Sequence, residues 1–416
     1  MVSSARSDVR RFALHVALGS LAWGLSNAFS AVFLLREGLE PAQVFLVFAA
    51  VNALRFALRP IVLAVAPEIG IRRTLILGAA IIALSYPALA LVHGIGIGLL
   101  IFVVASSLGQ VFYFTTYHVF FAALSDDGRF GTQVGLFQAL GIVSAVVGPA
   151  AGGLLLATRG PWPSFGLASL IALAGIAPLL GITEPRVARE TPRGAYAAAK
   201  NGARLYFTDG WIQVSLSCAW SIVLFEALHD RYESYGGTLS VAALAAALSG
   251  IVLGRLIDKG HARSIAWISA GILAAGLLLR SLTFGNAVVA VAVAIGTVMG
   301  GGIYMPAWMT VVYSEAKLSP CPFRFQFAAE GGWDAGAVAA GLAAAAFCAI
   351  GLPVEGAILL ALPMVVVQVF LLDRGYARQA AAAPPSLEQL RSPPPAAMPD
   401  PSGEIIPRRA AVGETH

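Results

Sequence analysis

Residues 97–124 read IGLLIFVVASSLGQVFYFTTYHVFFAAL. The stretch carries no Asp, Glu, Lys or Arg. As a helix rising about 1.5 Å per residue it exceeds the roughly 20 residues that cross a hydrocarbon core of about 30 Å. Runs of the same kind lie near 12–35, 42–65, 74–93, 131–157 and 162–182. A second set lies near 210–229, 237–256, 264–283, 286–313, 327–350 and 354–372. The charged stretch 183–209, with Arg186, Arg189, Arg193, Lys200 and Arg204, separates the two sets. The pattern predicts an all-α membrane protein of twelve transmembrane helices in two pseudo-symmetric six-helix bundles, 1–182 and 210–378. A linker, 183–209, joins them, and a tail, 379–416, follows. Composition agrees: 58% of the 416 residues are apolar and 12% charged, against about 25% charged in soluble domains. A soluble fold of this length cannot cover that much apolar surface, so the lipid bilayer is its surrounding.

Charge placement predicts orientation. Arg36, Arg159, Arg231 and Arg280 fall on one side and Arg55 and Arg59 inside the second span. The remaining lysines and arginines gather with the termini and the linker. By the positive-inside rule both termini face the cytoplasm of a bacterial-type inner membrane. Arg6, Arg10 and Arg11 before an apolar run also fit a signal peptide, but Phe12 to Leu35 is too long for one and reads as the first span. The tail has Pro384-Pro385 and Pro393-Pro394-Pro395, lacks apolar periodicity and is expected to be disordered. The net charge of +5 does not cluster on one face, which excludes a nucleic-acid partner. Cys218, Cys321 and Cys348 have no ligand spacing. No cofactor loop, metal cluster or nucleophile constellation is legible, which argues against an ATP-driven pump or an enzyme.

The loops after the second and eighth spans echo each other. The first reads Pro67-Glu68-Ile69-Gly70-Ile71-Arg72-Arg73. The second reads Gly254-Arg255-Leu256-Ile257-Asp258-Lys259-Gly260-His261-Ala262-Arg263. In the fifth span, Gly148-Pro149-Ala150-Ala151-Gly152-Gly153 combines a helix-bending proline with glycines that let a neighbour approach closely. On these motifs and the six-linker-six plan the chain resembles the major facilitator superfamily over about residues 10–375. That family carries a Gly, acid, base, Gly signature in both loops and Gly-Pro-x-x-Gly-Gly in helix 5. Gly254, Asp258, Gly260 and Arg263 follow the loop signature. The first loop departs from it, with Pro67 in the place of the acid. The resemblance implies a central cavity between the halves, lined by helices 1, 4, 7 and 10, and Gly148, Pro149, Gly152 and Gly153 tilt it towards proton-coupled export.

Polar residues at helical spacing inside spans are costly and face cavities or other helices. Trp23 and Asn27 (with Ser20 and Ser30), Gln110, Tyr113 and Tyr117 (with Ser106), Gln213 and Trp220, and Tyr304 and Trp308 fall where the resemblance wants a cavity. The alternative is interhelical hydrogen bonding and interfacial aromatics; Trp211 is read that way, His118 as a packed polar residue and Glu226 as a solvated rim. Arg55 and Arg59, four residues apart in the second span, match Glu330 and Asp334 in the eleventh. Counting from the span ends pairs Arg59 with Glu330 and Arg55 with Asp334 in a gate between halves, opened when an acid is protonated. The alternative is snorkelling arginines and acids capping the eleventh helix. The expected function is proton-coupled export of a small organic solute by a monomeric secondary transporter. Uptake or facilitated diffusion of a metabolite, and a non-transporting sensor or scaffold, stay open.

Overall fold

The computed structural model describes residues 2–124, 130–184, 190–257, 262–301 and 304–382. Among these there is no strand, as a bilayer demands of a chain whose backbone must satisfy its own hydrogen bonds. The helices are α1 (Val2–Leu25), α2 (Ser30–Arg36), α3 (Pro41–Ile69), α4 (Ile71–Leu89), α5 (Ile97–Leu124), α6 (Phe130–Arg159), α7 (Pro161–Ala174), α8 (Ala195–Ala198) and α9 (Lys200–Val214). Then follow α10 (Trp220–Ala227), α11 (Tyr232–Ile257), α12 (Ala262–Ser281), α13 (Ala287–Gly301), α14 (Tyr304–Leu318), α15 (Pro322–Ala349), α16 (Val354–Ile358) and α17 (Leu362–Ala382).

Several helices are joined end to end into one pass. A 3₁₀ turn, Asn27–Phe29, links α1 to α2, and a π-helical turn, Ser215–Ala219, links α9 to α10. Ten passes among the described residues are long and apolar enough to cross a membrane. The remaining two expected spans correspond to α11 and to α13 with α14. Prolines start passes where a missing N–H costs nothing: Pro41, Pro161 and Pro322 each open a helix.

Met1–Tyr376 form one compact unit. Of the second, Ala377–His416, only residues 377–382 are described, as the end of α17. The tail expected to be disordered lies, beyond residue 382, outside the described residues. Within the first unit α3 packs on α15 and α6 on α11, which joins early passes to late ones, and α9 packs along α15. That last contact is backbone to backbone. A Cβ at Gly332, Gly336 or Gly210 would overlap the carbonyls of Ala203, Phe207 and Trp333. Lipid gives helices no hydrophobic reason to associate, so contacts this close supply the dispersion and shape fit that hold α9 and α15 together.

Candidate functional site

Four charges sit inside the bundle where α3 crosses α15. Arg55 and Arg59 lie one turn apart on α3, Glu330 and Asp334 one turn apart on α15, and all four are buried. Both arginines converge on Asp334: Arg55 Nε donates to Oδ1, and Arg59 donates to Oδ2 from Nε at 3.1 Å and also from Nη2. Arg55 further donates from Nη1 to Gln110 Oε1 at 3.2 Å and lies 4.6 Å from the centre of the Trp333 ring and 5.7 Å from Phe114. Arg59 Nη1 donates to Thr115 Oγ1 at 3.2 Å.

Glu330 is held from another direction. Its Oε1 is 3.0 Å from His118 Nε2 on α5, and its Oε2 is 3.8 Å from Arg55 Nη2. His118 Nδ1 lies 2.9 Å from the Tyr313 hydroxyl on α14. With Nε2–H donating to Glu330, Nδ1 accepts from Tyr313, and one tautomer satisfies both contacts. The pairing therefore differs from two parallel rungs: Asp334 takes both arginines, while His118 displaces Arg59 from Glu330. The reason is reach, because the two oxygens of Asp334 serve one guanidinium each and the imidazole meets the outer acid. His118 is thus packed, as the sequence suggests, and is also part of the charged group.

A second polar cluster surrounds Asp209, one turn below Gln213 on α9. Asp209 is buried, and Oδ1 accepts from the Tyr304 hydroxyl at 3.0 Å and from Gln213 Nε2 at 3.5 Å. Oδ2 accepts from Trp333 Nε1 at 3.1 Å. The Tyr304 hydroxyl also lies 2.7 Å from Gln368 Oε1 on α17. No cation pairs with Asp209 among the described residues. Asp209 falls at the end of the expected linker, 183–209, but α9 starts at Lys200 and buries it.

The other expected cavity residues divide between groups. Tyr113 stacks on Tyr117 with centroids 5.7 Å apart and bonds His15 at 3.0 Å, and Tyr117 stacks on Phe12. Trp308 is buried edge-on to Tyr206, its indole N–H without a partner among the described residues. Trp220 is buried under Arg280, whose guanidinium lies 5.2 Å from its ring and donates to Thr297 at 3.0 Å. Trp23 is exposed near the end of α1, and Asn27 is half-buried at the 3₁₀ turn. Trp211 donates to the Leu360 carbonyl at 2.8 Å, so it bridges helices. His15, Asp209, Trp333 and Arg280 were not singled out beforehand. The sequence counts Arg280 only among the charges on the side opposite the termini.

The glycine motif sits at helix crossings. A Cβ on Gly148 would lie 3.0 Å from Gly24 Cα of α1, and one on Gly152 would meet the Leu25 backbone. Gly153 faces Tyr232 and Gly236 of α11, and Gly236 faces the Pro149 carbonyl. Of the eighth-span loop, Asp258 and Gly260 lie outside the described residues, and Gly254 lies in α11. Arg263 pairs with Asp373 at 2.5 Å, joined by Trp267 Nε1 at 3.1 Å. The loop after α3 has the matching arrangement. Gly70 takes a positive φ of 94°, and Glu184 accepts from Arg72 N at 2.8 Å. Arg72 also donates to the Ile182 carbonyl at 2.8 Å. The two pairs span 112 and 110 residues respectively. Glu184 thus stands to Arg72 as Asp373 stands to Arg263. Among the described residues no group of three or more His, Cys, Asp or Glu could hold a metal.

The family model described as Major Facilitator Superfamily matches residues 12–320. No curated protein sequence matches the chain. A crystal structure of the human organic anion transporter MFSD10 (TETRAN) is similar with a TM-score of 0.66 at 15% sequence identity, covering 88% of this chain and 99% of that one. At that identity the likeness speaks for the fold. The family match covers most of the chain: it belongs to the major facilitator superfamily, and is a membrane transporter of a small solute rather than an enzyme.

Proposed function

We propose that the protein is a proton-coupled exporter of a small organic solute, working as a monomer by alternating access. In this reading the bundles 1–182 and 210–378 rock about the junction that α3 and α6 make with α15 and α11. Both termini face the cytoplasm of an inner membrane. The observation behind it is the charged group joining α3 to α15: removing Asp334 strips Arg59 of its ion-pair partner in a low-dielectric setting. Such a group holds two surfaces together until something competes for it, which is the behaviour of a latch. Gln110 bonds Arg55 and is half-buried, so solute in the central space proposed between the halves would act on Arg55. Trp23, Asn27, Tyr113, Tyr117, Gln213, Trp220, Tyr304 and Trp308 are proposed to line or brace that space.

The structurally similar human protein is by its title an organic anion transporter. Two arginines at the junction make anionic organic solutes the first class to screen here. The scaffold alternative rested on the departure at Pro67; that Arg72 keeps an acidic partner in Glu184, as Arg263 does in Asp373, supports the transport reading instead. The test is reconstitution in liposomes with an imposed pH gradient and a panel of radiolabelled organic anions, cations and neutral solutes. At least one solute should move against its gradient while the lumenal pH changes. Flux that ignores the pH gradient for every transported solute removes the proton-coupling half of the proposal.

A further inference from the structure

Asp334 meets two guanidinium groups and Glu330 meets His118 and Arg55, so a proton on either acid must compete with cations. Asp209 differs. It is 4% exposed, and its partners are the neutral Tyr304, Gln213 and Trp333. The titratable groups around it are Tyr206 one turn back on α9, Tyr304 on α14 and Glu330 on α15; α17 contributes the neutral Gln368.

The hydrogen bonds around Asp209 close in two ways. The Tyr304 hydroxyl has one hydrogen and two neighbours, Asp209 Oδ1 and Gln368 Oε1. If Asp209 is protonated on Oδ1, it donates to Tyr304, which donates to Gln368. If Asp209 is ionised, Tyr304 donates to it and the Gln368 amide turns so that its NH₂ donates to the Tyr304 oxygen. Gln368 Nε2 is otherwise buried without a partner among the described residues, and amide orientation follows the network. One amide flip therefore accommodates either charge state. Trp333 reads the difference. Its indole N–H donates to Asp209 Oδ2, a bond stronger to a carboxylate than to a neutral acid, while its ring supports Arg55.

We propose that Asp209 is the proton-binding site, and that Trp333 transmits its protonation to Arg55 and hence to the α3–α15 latch. This deepens the transport reading and rests on its proton coupling. A purified full-length protein in detergent is titrated with pH, following tryptophan emission and the carboxylic-acid band in infrared difference spectra. Wild type should show both signals changing together. Asp209→Asn should lose both, Asp209→Glu should shift their midpoint, and Trp333→Phe should lose the emission change but keep the infrared band. Should Asp209→Asn fail to fold, the Glu and Phe variants carry the test. Signals unchanged in Asp209→Asn, or abolished instead by Glu330→Gln, overturn the assignment, as does a wild type with no carboxyl titrating in its stable range. In liposomes, Asp209→Asn should equilibrate solute but no longer accumulate it. Accumulation equal to wild type overturns the site while leaving proton coupling standing. A titrating Asp209 with flux indifferent to pH upholds the site and removes the coupling.

Discussion

Asp334→Asn separates the two arginines energetically. Asp334 has no exposed side-chain surface and accepts from both. Breaking a buried pair by removing one member typically costs about 3–5 kcal/mol, and here two cations lose a partner at once. They do not lose equally. Arg55 keeps Glu330 at 3.8 Å, and charges at about 4 Å interact by about 4 kcal/mol at an effective dielectric of about 20. Arg59 keeps the Thr115 hydroxyl but has no other ion pair in contact among the described residues, feeling Glu330 only from farther away. Asp334→Asn should therefore lose about 3–5 kcal/mol. Adding Arg59→Met should recover most of that, and adding Arg55→Met clearly less. The assay is equilibrium unfolding in mixed detergent micelles on the three variants and wild type, with solute flux read in parallel. Contacting residues commonly couple by about 0.5–3 kcal/mol, so a difference of about 1 kcal/mol between the double variants is resolvable. Equal rescue by both, or an Asp334→Asn protein as stable as wild type, would refute the convergence of both arginines on this acid.

Gly336→Leu forces a side chain into the Phe207 backbone and should destabilise by at least about 1–3 kcal/mol, whereas Gly237→Ala meets nothing within 4 Å and should be neutral in melting. Gln110→Ala removes an acceptor from a buried cation and should cost about 1.5 kcal/mol, with a larger loss in flux; unchanged flux would show that solute does not pass this residue. In a cysteine-free background, Gly96→Cys should react in intact cells with an impermeant thiol reagent and Ala197→Cys should not, both positions being exposed. Labelling of Ala197→Cys from outside refutes the orientation.

The helical plan was legible because apolar runs of membrane length have few other uses, and Arg55, Arg59, Glu330 and Asp334 stood out because charges inside such runs are costly. Of their pairing, Arg55 with Asp334 was legible and the partners of Arg59 and Glu330 were not. Spacing along α3 and α15 suggests depth but says nothing of His118, which approaches from α5. Asp209 was missed for a different reason. The pass containing it has a hydropathy of only 1.2 and opens with Lys200 and Arg204, so its first turns look like linker. Gln213, one turn later, was the available signal: a carboxylate four residues before a polar residue already placed on an inward face shares that face. Arg280 was hidden by its position near the end of α12, where a charge usually reaches water.

The junction is built from two chemistries, and they respond to different perturbations. Where α5 and α14 end and α15 begins, it is polar: the arginine–carboxylate group, His118 against Tyr313, and Phe121 stacked on Tyr313 at 5.3 Å. Towards the other end it is apolar. Phe29 meets Tyr235 edge-on at 5.5 Å, Gly153 meets Gly236, and Gly341 packs on Ala49. Few polar links are shown there among the described residues: Tyr235 donates to the Ala28 carbonyl at 3.2 Å, and the Arg36 guanidinium lies 6.0 Å from the centre of the Tyr232 ring. An apolar seam is indifferent to protons, whereas the charged end changes strength whenever one of its groups changes charge. Carrying a two-state equilibrium from 1:99 to 99:1 needs about 5.5 kcal/mol, and loss of one buried charge partner costs about 3–5 kcal/mol. The charged end alone thus holds energy of the size a conformational switch requires. In the proposed cycle, substitutions in the apolar seam, such as Gly236→Ala against the Pro149 carbonyl, should change the rate of flux at every pH alike. Substitutions at Trp333 or Arg59 should change how flux depends on pH. A pH profile altered by Gly236→Ala and untouched by Trp333→Phe would place the switch at the wrong end of the bundle.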